Sequence, residues 1–214
     1  MSYLLVFDCS LPTASLAVLR KKDLKCLVEK KWIAKAPTSS HSDLLPLKMS
    51  QALEEVKLCL KSLSSLIVGV GPGRFTGVRT GLCVAKALAY SLTIPVYPIN
   101  SLRLIAKSFS DSKNVCVALQ AFKNQVYYGE FLNQELLTLL TFESWEKKMK
   151  SFREPVVCLS DLEDFYPFKK ENFSKVDFKK PQISSLALAE IAYRENICPL
   201  TWNKLKANYM RSHF

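Results

Sequence analysis

Four of the six glycines in this 214-residue chain fall within eleven consecutive positions, Gly71-Pro72-Gly73-Arg74-Phe75-Thr76-Gly77-Val78-Arg79-Thr80-Gly81. The block separates a short apolar run, Leu66 to Val70, from a segment with helical spacing that extends to about Leu92. A strand-to-helix turn is expected there. Backbone N–H groups at a helix N-terminus can hold an anion, so Gly71 and Gly73, with Asp8, are the candidates for cofactor contact. The spacing matches neither a Gly-Lys-Ser/Thr phosphate loop nor the Gly-x-Gly-x-x-Gly dinucleotide fingerprint. Left-handed turn geometry explains such glycines equally well.

The helix after the block supplies a second reason for them. Gly77, Gly81, Ala85 and Ala89 recur at every fourth position and make a ridge that another helix can approach closely. Packing on the chain's own sheet is the plain alternative. The breadth of the apolar and small surface favours contact with another molecule. The expected partner interface is Gly77, Val78, Gly81, Leu82, Ala85 and Ala89, with Leu45 and Met49 of the preceding helix. On that reading Gly81→Arg abolishes partner binding and leaves the fold intact.

The rest of the pattern sets the fold class. Tyr3 to Cys9, Ala14 to Arg20 and Lys25 to Ile33 read as a three-stranded meander, broken by Pro37-Thr38-Ser39-Ser40. Ser40 or Ser42 caps a helix reaching about Ser62, with Ser40-x-x-Asp43 as a capping box. Leu45, Met49, Ala52, Leu53, Val56, Leu60 and Leu63 form its apolar face. Val96 to Ile99 is a further strand. The order restarts with strands at Val115 to Ala121, Val126 to Leu132 and Val156 to Leu159. A lysine- and aromatic-rich loop over Phe165 to Lys180 precedes a helix at Ser184 to Arg194. An α/β fold follows, with mixed sheets flanked by helices in two lobes, 1–106 and 107–214, the last helix being able to pack back on the first lobe.

Composition removes several function classes. Only His41 and His213 are present, so a site needing two or three imidazoles is nearly excluded. The seven cysteines are scattered and never spaced Cys-x-x-Cys, which implies neither disulfides nor a zinc cluster; most sit in apolar stretches. No apolar run approaches the roughly 20 residues of a membrane span, and the N-terminus lacks signal-peptide features; a cytoplasmic location is expected. Net charge is +11, with 14 Lys and Arg against 6 Asp and Glu in 1–106, and 16 against 13 in 107–214. Such a surface suits a polyanion or an acidic partner. Asp8 lacks the mate that phosphoryl transfer would need, because Gln120 stands in the matching strand of the second lobe. Ser39, Ser40 and Ser42 beside His41 read as helix capping, not as a nucleophile and base. No catalytic residue and no metal ligand is expected.

Phe7-Asp8-Cys9-Ser10, His41-Ser42-Asp43-Leu44-Leu45-Pro46, the glycine block and Ile94-Pro95-Val96 together resemble the TsaB family, within the wider TsaD-like, peptidase M22-like group. The likeness covers about residues 3–106. Val117-Ala118-Leu119-Gln120-Ala121, Val126-Tyr127-Tyr128-Gly129 and Tyr209-Met210-Arg211 extend it more weakly. The resemblance implies an actin-like ATPase (sugar kinase, Hsp70, actin) fold with two RNase H-like lobes. It implies a non-catalytic subunit in formation of threonylcarbamoyladenosine on tRNA, beside the anticodon. The implied partners are the catalytic paralogue TsaD and the small ATPase TsaE, with a homodimer in isolation, tRNA contact only within the complex, and no membrane. ATP is used by the wider complex, and no cofactor is assigned to this chain. The TsaD His-x-x-x-His metal pair is replaced here by Ser101 and Ile105. In the family, the glycine-block helix and the one before it are implicated in dimerisation. The competing readings are an ATPase or kinase-like enzyme of the actin-like superfamily, a peptidase, and a free tRNA-binding module supported by charge alone.

Overall fold

The computed structural model of the chain describes residues 2–34, 39–109, 114–131, 135–166 and 168–210. Pro37, Thr38, Leu132, Arg211 and His213, all used above, lie outside the described residues. The chain forms two compact units: Met1–Leu104 with Ile183–Asn208, and Ile105–Gln182 with Tyr209–Phe214.

The first unit is built on a five-stranded mixed sheet. Strands β1 (Tyr3–Asp8), β2 (Thr13–Arg20) and β3 (Lys25–Ile33) form the expected antiparallel meander, and β4 (Leu63–Gly69) and β5 (Val96–Ile99) add in parallel beyond β1. The order is β3-β2-β1-β4-β5. Leu4, Leu5, Val6 and Phe7 are all buried, which explains why β1 reads as a continuous apolar run: both faces of this central strand are covered. One face carries α1 (His41–Glu55) and α2 (Phe75–Leu92). Helix α5 (Ser185–Arg194) packs across β1, β2, β4 and β5. Leu205 then enters the α1–α2 core, after a bridge between Leu200 and Val96.

Helix α1 has the predicted start and an unpredicted end. Ser40 caps it, in a reciprocal capping box with Asp43. The helix stops at Glu55, short of the expected Ser62. Val56 is the cap, Lys57 takes a left-handed φ of 55°, and Leu58 N–H donates to Leu53 O at 2.9 Å. This Schellman closure uses lysine where glycine is usual, so nothing in the local composition announced it.

The second unit repeats the plan. Strands β6 (Val115–Gln120), β7 (Gln125–Phe131), β8 (Glu135–Thr141), β9 (Val156–Ser160) and β10 (Val176–Lys179) are ordered β10-β9-β6-β7-β8, the same order read from the other edge. Each sheet has the RNase H-like strand order expected of a lobe in the actin-like fold class. Sequence reading had missed β8, the short helix α3 (Ser101–Lys107) and α4 (Phe142–Lys150). The presumed loop over 165–180 contains β10, and its Phe168, Phe173 and Phe178 pack edge-to-face or tilted around the buried Trp145 of α4. Those aromatics are core, which is why the stretch is rich in them.

Candidate functional site

The glycine block folds back on the end of β1. Gly71 has φ 89°, a conformation open to glycine at little cost. A Cβ on Gly73 would lie 2.5 Å from Ser10 O, and Arg74 N–H donates to that same carbonyl at 2.7 Å. Beside this turn, Asp8 is fully buried. Its Oδ1 accepts from Ser10 N–H at 2.5 Å and its Oδ2 from the Ser101 hydroxyl at 2.7 Å. The Gly71 N–H in turn donates to Ser101 Oγ at 3.1 Å. Burial pushes the Asp8 carboxyl above the usual carboxylate range, against the hydrogen bonds from Ser10 and Ser101 that favour its ionised form.

This arrangement corrects the cofactor candidates. Asp8, Gly71 and Gly73 are buried, and the Gly71 and Arg74 N–H groups already have acceptors inside the chain. The glycines serve close backbone approach and not an open anion cradle. Ser101, which stands where TsaD has the first histidine of its metal pair, is a hydrogen-bond bridge, and Ile105 is buried. Among the described residues no three or more His, Cys, Asp or Glu side chains cluster as a metal site. The second unit does hold a buried carboxylate that sequence reading missed: Asp161 follows β9 and accepts from Gln120 N–H at 2.9 Å. Its sequence signal was an acidic residue closing a buried strand, as Asp8 does.

His41 is likewise committed. Trp32 Nε1–H can only donate, so His41 Nδ1 accepts it at 3.1 Å and Nε2–H donates to Leu11 O at 2.9 Å. Burial is the main reason its pKa falls below the usual histidine value. Ser40, in the serine cluster beside it, caps α1, as expected. Cysteine placement differs from expectation: all seven are free, but Cys59, Cys83 and Cys198 are exposed.

The expected partner ridge is also corrected. Gly77, Val78, Gly81, Leu82, Ala85, Ala89 and Leu45 are all buried within this chain, and Met49 is half-buried against the same core. The reason is geometric, since α2 lies so close to the strand ends that a Cβ on Gly77 would sit 1.9 Å from Cys9 O. Small residues let the helix sink onto its own sheet. The outward face of α2 is different. Phe75, Thr76, Arg79, Thr80, Cys83 and Val84 line a shallow groove with Ser42 of α1. Phe75 is 51% exposed, and the Arg79 guanidinium lies 3.8 Å from its ring centroid. Thr76 and Thr80, then Cys83 and Ala87, are spaced four apart, so this outer side is itself low in profile.

Residues 35–142, which include α1, the glycine block and α2, match the family model described as TsaD, tRNA N6-adenosine threonylcarbamoyltransferase. Over 188 residues the chain is 31% identical to the tRNA threonylcarbamoyladenosine biosynthesis protein TsaB of Buchnera aphidicola subsp. Schizaphis graminum, covering 83% of this chain and 86% of that protein. The chain belongs to the TsaB family. A Haemophilus influenzae TsaB is 30% identical over 136 residues, covering 62% of this chain and 55% of that one. A Pseudomonas aeruginosa protein of known structure, described as similar to the peptidase YeaZ, shares the fold at TM-score 0.75 and 21% identity, over 99% and 100% of the two chains. The segment matched by the TsaD family model, residues 35–142, carries both the glycine-block turn and the residues that line the outward groove.

Proposed function

We propose that this chain serves tRNA threonylcarbamoyladenosine biosynthesis as a non-catalytic subunit that docks on a TsaD-like catalytic partner through the outer faces of α1 and α2. The names of its TsaB relatives support the pathway, and the TsaD family match supports a partner of that kind. The observation that carries the docking reading is the exposed, low-profile face of α2, with Phe75 at its head and the groove beside Ser42. Threonine, cysteine and alanine at the outer positions let a partner helix approach closely, and a large exposed aromatic is a natural anchor. In isolation the same face pairs with a second copy. A TsaE-like ATPase joins the assembled complex. The non-catalytic reading is supported by Asp8, whose two oxygens are engaged inside the core, out of reach of a substrate.

Thr80→Arg places a long cation in the groove without entering the core. Its affinity for the TsaD-like partner should fall at least about tenfold, or about 1.4 kcal/mol, with an unchanged circular dichroism spectrum. Modified adenosine in tRNA, read by mass spectrometry, should fall with it. Undiminished co-elution of Thr80→Arg with the partner would remove the proposed face. Sustained ATP turnover by the purified chain, lost in Asp8→Asn, would favour the enzyme reading instead.

A further inference from the structure

Away from the groove, at the C-terminal end of α2, two large aromatic side chains stand in solvent against each other. Tyr90 is 67% exposed and Trp202 is 42% exposed; their ring centroids are 5.2 Å apart at an interplanar angle of 74°. Core packing does not require either ring, and both belong to the first unit. A T-shaped contact orients the two rings against each other and leaves ring faces open for stacking. Trp202 is presented by a tight turn, in which Lys204 N–H donates to Thr201 O at 3.0 Å and the Thr201 hydroxyl donates to Asn203 Oδ1 at 2.6 Å.

The charged side chains on the two segments that carry this pair, α2 and 196–210, have one sign. Lys86 precedes Tyr90 by one helical turn on the same side of α2, and Lys204 and Lys206 follow Trp202 on exposed backbone. Neither α2 nor the segment 196–210 contains an aspartate or glutamate. Among the described residues none of these three lysines is paired with a carboxylate. An acidic protein surface would satisfy the lysines but leave the upright ring pair without a matching feature. A membrane surface would call for aliphatic side chains along with the cations. Unpaired nucleotides satisfy both halves at once, because every base offers a flat π-face and every linkage a phosphate.

We propose that Tyr90 and Trp202 form a base-stacking platform for an unpaired stretch of RNA, with Lys86, Lys204 and Lys206 against its phosphates. That the RNA is a tRNA rests on the function proposed above; the platform does not. The occupant is single-stranded or loop RNA, read by stacking and charge and not by base edges.

Trp202 also supplies the readout. The chain has three tryptophans, and Trp32 and Trp145 are buried, so a base on the platform should quench the emission of Trp202 selectively. Titrations use oligouridylate and an unmodified tRNA, on the chain alone and on its complex with the TsaD-like partner. Tyr90→Ala and Trp202→Ala should each weaken RNA binding about tenfold, within the range that loss of one stacked base produces. Lys204→Gln and Lys206→Gln should each lower the slope of log affinity against log salt by about 0.7. Thermal melts confirm that these surface variants stay folded. RNA affinity unchanged in the aromatic variants, both alone and in the complex, overturns the inference. So does a loss of partner co-elution in those variants with RNA affinity intact, which would make the patch a protein contact. Thr80→Arg separates the two claims: it breaks docking, and the chain alone should bind oligouridylate as before.

Discussion

Gly77 and Gly81 are one helical turn apart on the same face of α2, yet they answer differently to an added methyl group. At Gly77 the new Cβ would lie 1.9 Å from the Cys9 carbonyl oxygen, and backbone cannot yield as a flexible side chain does. At Gly81 the nearest foreign atom is Phe7 Cε2 at 3.8 Å, an ordinary contact. Gly81→Ala should therefore be tolerated and gain about 0.5–1 kcal/mol from helix propensity. Gly77→Ala should lose about 1–3 kcal/mol as the turn is pushed off the helix. Urea denaturation of the two variants checks both signs; equal stabilities would show that α2 does not lie as close to Cys9 as described. The expected behaviour of Gly81→Arg changes as well. Gly81 faces the buried side, so the arginine would disrupt the fold before it could report on a partner.

At the scale of elements, legibility in the sequence followed the strength of the local signal. The meander, the Ser40 cap, the opening of α2 and the start of α5 after Ser184 were all marked by periodicity or capping chemistry. Helix α4 was not read, although Thr141 caps it and its Trp145 is a core residue: its charged run Glu143 to Lys150 hid a short apolar stripe. The partner ridge was misassigned because a stripe of small residues looks the same from either side of a contact. Only the position of the sheet decides which side it serves. The end of α1 was hidden for another reason, since Lys57 adopts a left-handed backbone that glycine would take at lower cost. Lys57→Gly should raise stability by about 1 kcal/mol, read as a higher denaturation midpoint with no change in slope. A lower midpoint would mean that the lysine side chain contributes more than its backbone costs.

For the molecule as a whole, chain order and spatial order part company. The first unit is made from Met1–Leu104 and Ile183–Asn208, with the entire second sheet inserted between. Helix α5 covers strands laid down much earlier, and Ser185 ties it to them: its hydroxyl is 2.5 Å from that of Ser15, and its N–H donates to Glu29 at 3.3 Å. Leu205 is fully buried in the α1–α2 core. A chain ended after Gln182 should therefore lose cooperative unfolding of the first unit, seen as collapsed amide hydrogen-exchange protection in β1 and β4. Native-like protection there would show that the returning segment is dispensable. Translation inherits a constraint from this layout: the sheet made first waits, with one apolar face bare, until residues 183–208 have left the ribosome. Any pause before residues 183–208 are made prolongs that exposure, so the codons of this returning segment bear on the fate of a sheet encoded far upstream of them.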